Sequence, residues 1–535
     1  MKRILTVAIL VSLGIVSGCA SNRSVDELPP MPAAEPSVDD MDLANGMDEP
    51  APVEASTQTL PATENEDLWI RLRAGYGLDL SVENDRIRVQ RDWYARHPKY
   101  FQRVTTRGER YLHYIVEQAE ARDMPLELAL LPIVESAFDP FAYSHGRAAG
   151  PWQFIPSTGD YFGLHRTWWE DQRRDVIKST NAALDYLQKL ANRFDGDWLL
   201  ALASYNAGGG TVSRAIRRNE EAGKPTDFWS LKLPRETTAY VPKLIAIAQI
   251  VKDPEAYEIP LQPVRNEPYF AEVDTGGQID LAQAAKLADI SIEELYLLNP
   301  SYNRWATAPD GPHRLLIPAE RAERFRLALA DLPADQRMQW ARYEIRPGDN
   351  LGAIARRYRT TPEVLRSINH LKNNTIIAGR TLLIPGPAAG KDTYTLSADS
   401  RLADNQNRQR DGRQKISHTV RSGDTLWEIS RQYKVGVKEL ARWNNMAPGD
   451  KLSIGQSLAV WTKGAAPTTV ASRSDSNMVR QVRYSVRNGD SLYAIADRFN
   501  VSVNDIRSWN SKVASKRYLQ PGQRLTLYVD IRQSF

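Results

Sequence analysis

The sequence predicts a multidomain chain in which a mostly α-helical domain over residues 68–258 is followed by small α+β units of strand–helix–helix–strand order. Three observations predict it. Apolar residues in the first half recur at helical spacing, as Tyr111, Ile115 and Ala119 do. Between 341 and 530 a block of about 45 residues occurs three times with its landmarks in the same order. The length of 535 residues, 42% hydrophobic and 25% charged, supplies three or four cores and excludes wholesale disorder. Composition also narrows function. A net charge of +4 is too small to argue for nucleic acid. The single cysteine excludes an intrachain disulfide and a multi-cysteine zinc site. The seven histidines show no metal-ligand spacing, so no metal and no cofactor is expected.

At the N-terminus, Lys2 and Arg3 precede an apolar run from Ile4 to Val16. That run is shorter than the roughly 20 residues a membrane-spanning helix needs. A basic start, a short apolar core and then small residues read as a secretory signal over 1–18. Val16-Ser17-Gly18-Cys19 resembles the lipobox of bacterial lipoproteins. The resemblance implies that Cys19 is lipidated and becomes the mature N-terminus; the alternative is an ordinary signal with an incidental cysteine. Ala20, rather than Asp, implies sorting to the outer membrane, facing the periplasm. Residues 24–67 hold twelve acidic residues, seven prolines and no Lys or Arg, so 19–67 is expected to be a disordered acidic tether. Residues 68–535 are left with +13, which suits an acidic polymer, although a solvated basic surface is the commoner meaning. Residues 387–415 and 462–482 read as flexible linkers.

Within 68–258, Arg107–Arg122 is an amphipathic helix. Pro125 opens a second one through Leu131, which Pro132 is expected to kink, and Glu135-Ser136 stand at its end. A turn-rich stretch runs from Asp139 to Phe154. Further helices cover Asn181–Ala191, Trp198–Tyr205 and Glu236–Val251. Glu135 is the carboxyl that stands out, because Phe138, Tyr143, Trp152 and Phe154 lie close by in sequence. A carboxyl among aromatics is costly to ionise, so its pKa should rise and keep it ready to donate a proton. Asp139 and Asp160 read as turn and cap residues. Gly208-Gly209-Gly210 reads as a turn, because Ser213 occupies the last glycine position of a dinucleotide fingerprint. Trp168-Trp169 reads equally well as core or as a sugar-stacking platform.

The three repeats align on Tyr343, Gly348-Asp349, Leu351, Asn369 and Leu382; on His418, Gly423-Asp424, Leu426, Asn444 and Leu458; and on Tyr484, Gly489-Asp490, Leu492, Asn510 and Leu525. Tyr343–Ile345 and Thr381–Ile384 alternate as strands. Leu351, Ile354, Ala355 and Tyr358 mark a helix face, with Asp349 as its expected cap. Pro362–Asn369 is a second short helix. The units span 341–386, 416–461 and 483–530. A degenerate fourth copy over 268–320 keeps Leu281, Ala285, Leu295, Asn299 and Leu315–Pro318 but has Gln278-Ile279 where the Gly-Asp turn should stand.

These repeats resemble the LysM module, which implies binding to N-acetylglucosamine-containing glycans. Residues 100–255 resemble the lysozyme-like lytic transglycosylases. The resemblance rests on Glu135-Ser136, on Gly150-Pro151-Trp152-Gln153 (Pro151 where the family usually has Leu), on Ala203-Ser204-Tyr205-Asn206-Ala207-Gly208 and on Ala239-Tyr240-Val241-Pro242. It implies a lysozyme-like fold that cleaves the β-1,4 bond between N-acetylmuramic acid and N-acetylglucosamine in peptidoglycan strands, forming 1,6-anhydromuramic acid ends. Glu135 would be the lone catalytic residue. Ser136 and Asn206 would orient it or the substrate's acetamido group, and Gln153, Tyr205 and Tyr240 would line the cleft. The alternatives are a hydrolytic muramidase on the same fold and a wall-binding scaffold that cuts nothing.

Overall fold

The computed structural model describes residues 67–358, 360–463, 479–487, 490–499, 503–510, 519–520 and 522–530. The signal 1–18, Cys19, nearly all of the tether and most of the linker 462–482 lie outside the described residues. The chain divides into two compact units, one ending at Gly464 and one beginning at Ala465.

The first unit opens with a helical domain: α1 (Leu68–Ala74), α2 (Asp85–Arg96), α3 (Pro98–Glu120), α4 (Leu131–Ser136), α5 (Pro156–Tyr161), α6 (Val176–Arg193), α7 (Trp198–Ala207), α8 (Gly209–Glu221) and α9 (Arg235–Lys252). Starts are written in side chains. Asp67, Asn84, Asp175 and Asp197 each accept a backbone N–H of the first turn, and Pro98, Pro132 and Pro156 stand in first turns where no N–H is needed. Helices α7 and α9 are buried almost all round and form the centre of the domain. Pro132 does not kink a continuous helix. A 3-10 turn over Leu126–Leu130 ends first, and Pro132 falls in the opening turn of α4. Helix α8 has no counterpart in the sequence reading: Gly208, at φ 82°, makes the expected turn, but the next glycines start a helix.

The degenerate copy pairs β1 (Phe270–Asp274) with β2 (Arg314–Pro318) around α10 (Leu281–Ala288) and α11 (Ile292–Leu298), and α12 (Ala319–Ala330) packs against it. The next copy pairs β3 (Gln339–Glu344) with β4 (Thr381–Gly386) around α13 (Leu351–Arg357) and α14 (Pro362–Ile368). The third pairs β5 (Gln414–Thr419) with β6 (Ser457–Thr462) around α16 (Leu426–Tyr433) and α17 (Val437–Trp443). The second unit holds the last copy, β7 (Val479–Ser485) and β8 (Arg524–Asp530) around α18 (Leu492–Phe499) and α19 (Val503–Trp509). Among the described residues the four sheets are all two-stranded and antiparallel.

One asparagine clamps each copy. Asn299, Asn369, Asn444 and Asn510 each donate to the carbonyl four residues back and to a carbonyl of the second strand, and each accepts that strand residue's N–H, all at 2.7–2.9 Å. Asp349 is not the helix cap expected of it. Asn350 caps α13, while Asp349 accepts the Tyr343 hydroxyl at 2.6 Å and the Arg346 N–H at 2.8 Å. Asp424 with His418 and Asp490 with Tyr484 repeat that turn-to-strand bond.

Residues 387–415 differ from the flexible linker expected. They carry α15 (Ala398–Asn407), and Tyr394 is buried with its hydroxyl on Asp280 at 2.7 Å. The partners lie far away in sequence, so a polar composition hides the packing. Trp168 and Trp169 resolve toward packing. They meet each other at 4.6 Å and Trp305 of the degenerate copy at 5.6 and 5.9 Å, and the Arg304 guanidinium lies 4.3 Å over Trp168.

Candidate active site

Glu135 is the penultimate residue of α4 and only 1% exposed. Its helix is short, and Leu131, Pro132, Ile133 and Val134 are all buried. The chain leaves through two successive left-handed residues, Ala137 at φ 52° and Phe138 at φ 55°. Each costs roughly 1–2 kcal/mol for a residue that is not glycine. The Phe138 ring offsets this by packing completely buried on Gly108, where even a Cβ would come within 2.8 Å of it. The acid therefore sits at the end of a buried post, just before a sharp reversal.

Tyr240 reaches it from α9 and donates its hydroxyl to Glu135 Oε1. Burial pushes the Glu135 carboxyl up to about 8; the Tyr240 hydroxyl pulls it down, the nearby Glu236 charge pushes it up and Lys243 pulls it down. Burial and the Glu135 carboxyl raise Tyr240 well above the usual phenol range, so it stays a donor.

The turn at 150–153 forms the next part. Gly150 stands at φ 81°, and a Cβ there would lie 2.2 Å from the Arg173 carbonyl oxygen, so no other residue fits without moving backbone. Gln153, itself at φ 50°, is fully buried and donates Nε2 to the Gly150 carbonyl at 2.8 Å. Ser136 Oγ bonds to the carbonyls of Pro151 at 3.0 Å and Pro132 at 3.2 Å, tying this turn to the acid's helix. Tyr205, fully buried on α7, donates its hydroxyl to the Trp152 carbonyl at 2.9 Å. Asn206 Oδ1 accepts the Thr237 hydroxyl at 2.6 Å.

Three buried polar atoms here have no hydrogen-bond partner: Glu135 Oε2, Gln153 Oε1 and Asn206 Nδ2. Leaving such a group unpaired costs about 1–3 kcal/mol. Two acceptors (one of them a carboxyl that can equally donate) and one donor suit a ligand that carries hydroxyl, ether and amide groups. Thr237, Glu236 and Lys243 escaped the sequence reading. Their signal is the spacing on α9, where 236, 237 and 243 lie three or four residues from Tyr240 and so share its face. Asp139 accepts the Phe141 N–H at 2.8 Å as a turn residue, and Asp160 is exposed, 3.5 Å from Arg166. Cys19 lies outside the described residues. Among the described residues no cluster of His, Cys, Asp or Glu could hold a metal ion.

Comparison with known proteins agrees with this layout. Residues 114–228 match the transglycosylase SLT domain, 269–334 the LysM-like domain of lytic transglycosylase MltD, and 343–385, 418–461 and 484–527 the LysM domain. A putative tributyltin chloride resistance protein of Alteromonas sp. (strain M-1) is 41% identical over 30% of this chain and 79% of its own. The autolysin of Enterococcus faecalis is 35% identical over 31% of this chain and 22% of its own. Among solved structures, the spore cortex-lytic enzyme SleL of Bacillus cereus matches 22% of each chain at 31% identity with a TM-score of 0.09, which says nothing of architecture. The membrane-bound lytic murein transglycosylase D of Escherichia coli (strain K12) is 38% identical over 464 residues, 86% of each chain. That identity over most of both chains, with a helical SLT domain followed by one LysM-like and three LysM units, places the chain in the membrane-bound lytic murein transglycosylase D family.

Proposed function

We propose that the chain cleaves the β-1,4 bond between N-acetylmuramic acid and N-acetylglucosamine in peptidoglycan, with Glu135 as first acid and then base. The observation that carries this is a buried carboxyl whose Oε2 is unpartnered, and burial raises its pKa to about 8, the direction a proton donor needs. Glu135 gives its proton to the bridging oxygen, and the bond from that oxygen to muramic acid C1 breaks. The resulting carboxylate takes the proton of the muramic acid C6 hydroxyl while O6 bonds to C1. The proton count closes on Glu135, no water is consumed, and a 1,6-anhydro end forms. A nucleophile within the same sugar gains from proximity. Tyr240 holds Oε1 and so leaves Oε2 for the substrate. Gln153 and Asn206 supply an acceptor and a donor for the sugar's acetamido and hydroxyl groups.

The LysM units hold the enzyme on the sacculus, since several weak binders on one chain raise effective concentration. A lipidated Cys19 anchors it to the outer membrane on the periplasmic side, and the acidic tether spans from there to the wall. Glu236 supports one competing reading, because a second carboxylate close enough to perturb Glu135 could activate water for hydrolysis. Mass spectrometry of digested sacculi decides: lytic products are lighter than hydrolytic ones by one water. Predominantly reducing ends would overturn the transglycosylase mechanism.

A further inference from the structure

We propose that Arg401 and Asp450, both outside the catalytic domain, are positioning residues of the reaction, clamping the loop 139–150 on which Gln153 is built. This rests on the reading of Glu135 as the acid. The loop joins the acid to the Gly150–Gln153 turn. Its inner bonds are local. Asp139 accepts the Phe141 N–H, Ser144 Oγ accepts the Ala148 N–H at 3.0 Å, and Gly150 N–H donates to the Ala142 carbonyl at 3.1 Å. Arg147 stands at φ 68°, with its carbonyl held by Arg173 Nη1 at 2.6 Å. The side chains of Phe141, Tyr143 and Arg147 take partners from elsewhere in the chain.

Two separate segments reach them. From α15, the Arg401 guanidinium lies 4.1 Å over the Phe141 ring, a cation–π contact. From the turn between α17 and β6, Asp450 Oδ1 lies 2.5 Å from Arg147 Nε, Arg147 Nη2 also donates to the Gly449 carbonyl, and the Tyr143 hydroxyl donates to Asp450 Oδ2 at 3.4 Å. Asp450 Oδ2 also accepts the Ala447 N–H at 2.7 Å, so its own turn is pre-formed. The relay into the site is short. Phe141 adjoins Ala142, whose carbonyl takes the Gly150 N–H, and the Gly150 carbonyl takes Gln153 Nε2. Two hydrogen bonds separate a residue held by Arg401 from an unpartnered acceptor of the site. A LysM unit and the segment before it therefore set the catalytic geometry as well as holding the wall.

The test uses the full chain and soluble peptidoglycan strands. Arg147→Asp and Asp450→Arg should each lower kcat about tenfold with a smaller change in KM, and the double exchange should recover most of the loss. Arg401→Ala should lower kcat, and Arg401→Lys, which keeps a cation over the ring, should lose less. Sacculus binding and the melting temperature should stay close to those of the parent. Unchanged kcat in the single variants, no recovery in the double exchange, or a raised kcat (contacts that restrain the enzyme) would each overturn the proposal. Glu135→Gln is run alongside: activity surviving that change defeats the acid assignment, whereas the charge exchange reports on the clamp alone.

Discussion

The asparagine clamps of the repeats and the polar side chains around Glu135 differ in how completely their hydrogen bonds are filled. In every repeat the asparagine makes three hydrogen bonds and neither its oxygen nor its nitrogen is left over. Around Glu135, three polar atoms of Glu135, Gln153 and Asn206 remain unpaired. The clamps return the cost of burial locally and fix a small fold that has little apolar core. The site leaves its cost outstanding until something else supplies the missing partners. At these residues the pairing of the side-chain amide and carboxyl atoms separates the clamps from the candidate site.

That contrast can be broken in four places. Glu135→Gln should cut turnover about a thousandfold while the protein stays folded. It should also change stability with pH. The folded pKa is raised from 4.5 to about 8, so the parent's contribution is complete below about 4.5 and is lost as pH rises through 8. The variant, which cannot ionise, should gain melting temperature relative to the parent across that window, and thermal scans at several pH values check it. For the same reason the parent's rate should fall on the alkaline side near pH 8. Tyr240→Phe removes the donor that holds the acid's pKa down, so the alkaline limb should move to higher pH, with turnover lower by about ten- to a hundredfold; a pH–rate profile reads both. Asn510→Ala leaves the N–H and carbonyl of half-buried Thr526 without their side-chain partner and should destabilise its repeat by about 1–2 kcal/mol. Hydrogen exchange over 479–530 should show that loss, with cleavage of soluble strands unchanged and retention on sacculi weakened. Asp160→Asn should be smallest, within about 0.5 kcal/mol of the parent in stability and about twofold in rate, as befits an exposed side chain beside Arg166.

Local signals carried most of this into the sequence. The spacing by four of Tyr111, Ile115 and Ala119 in α3 and the turns at Gly150 and Gly208 each act within a turn or two of chain, so they can be read without knowing the fold. The acid was legible because it ends a strongly apolar stretch of chain and stands in the Glu135-Ser136 motif. The repeats were legible because the same spacing occurs several times. What stayed hidden depends on distant partners. Asp349 looks like a cap until the Tyr343 hydroxyl is found above it. The stretch 387–415 looks like a linker because Tyr394 and Arg401 pack on Asp280 and Phe141, more than a hundred residues away. Glu236 and Thr237 gain meaning only when α9 is laid across α4 and α7.

The left-handed pair Ala137-Phe138 has a consequence for engineering. Glycine at 137 would adopt that conformation without penalty and, even after its extra freedom in the unfolded chain, should make the enzyme more heat tolerant. It would also slacken the reversal that aims the glutamate. Thermal robustness and turnover are therefore set against each other at a single alanine, next to a serine that itself neighbours the proton donor.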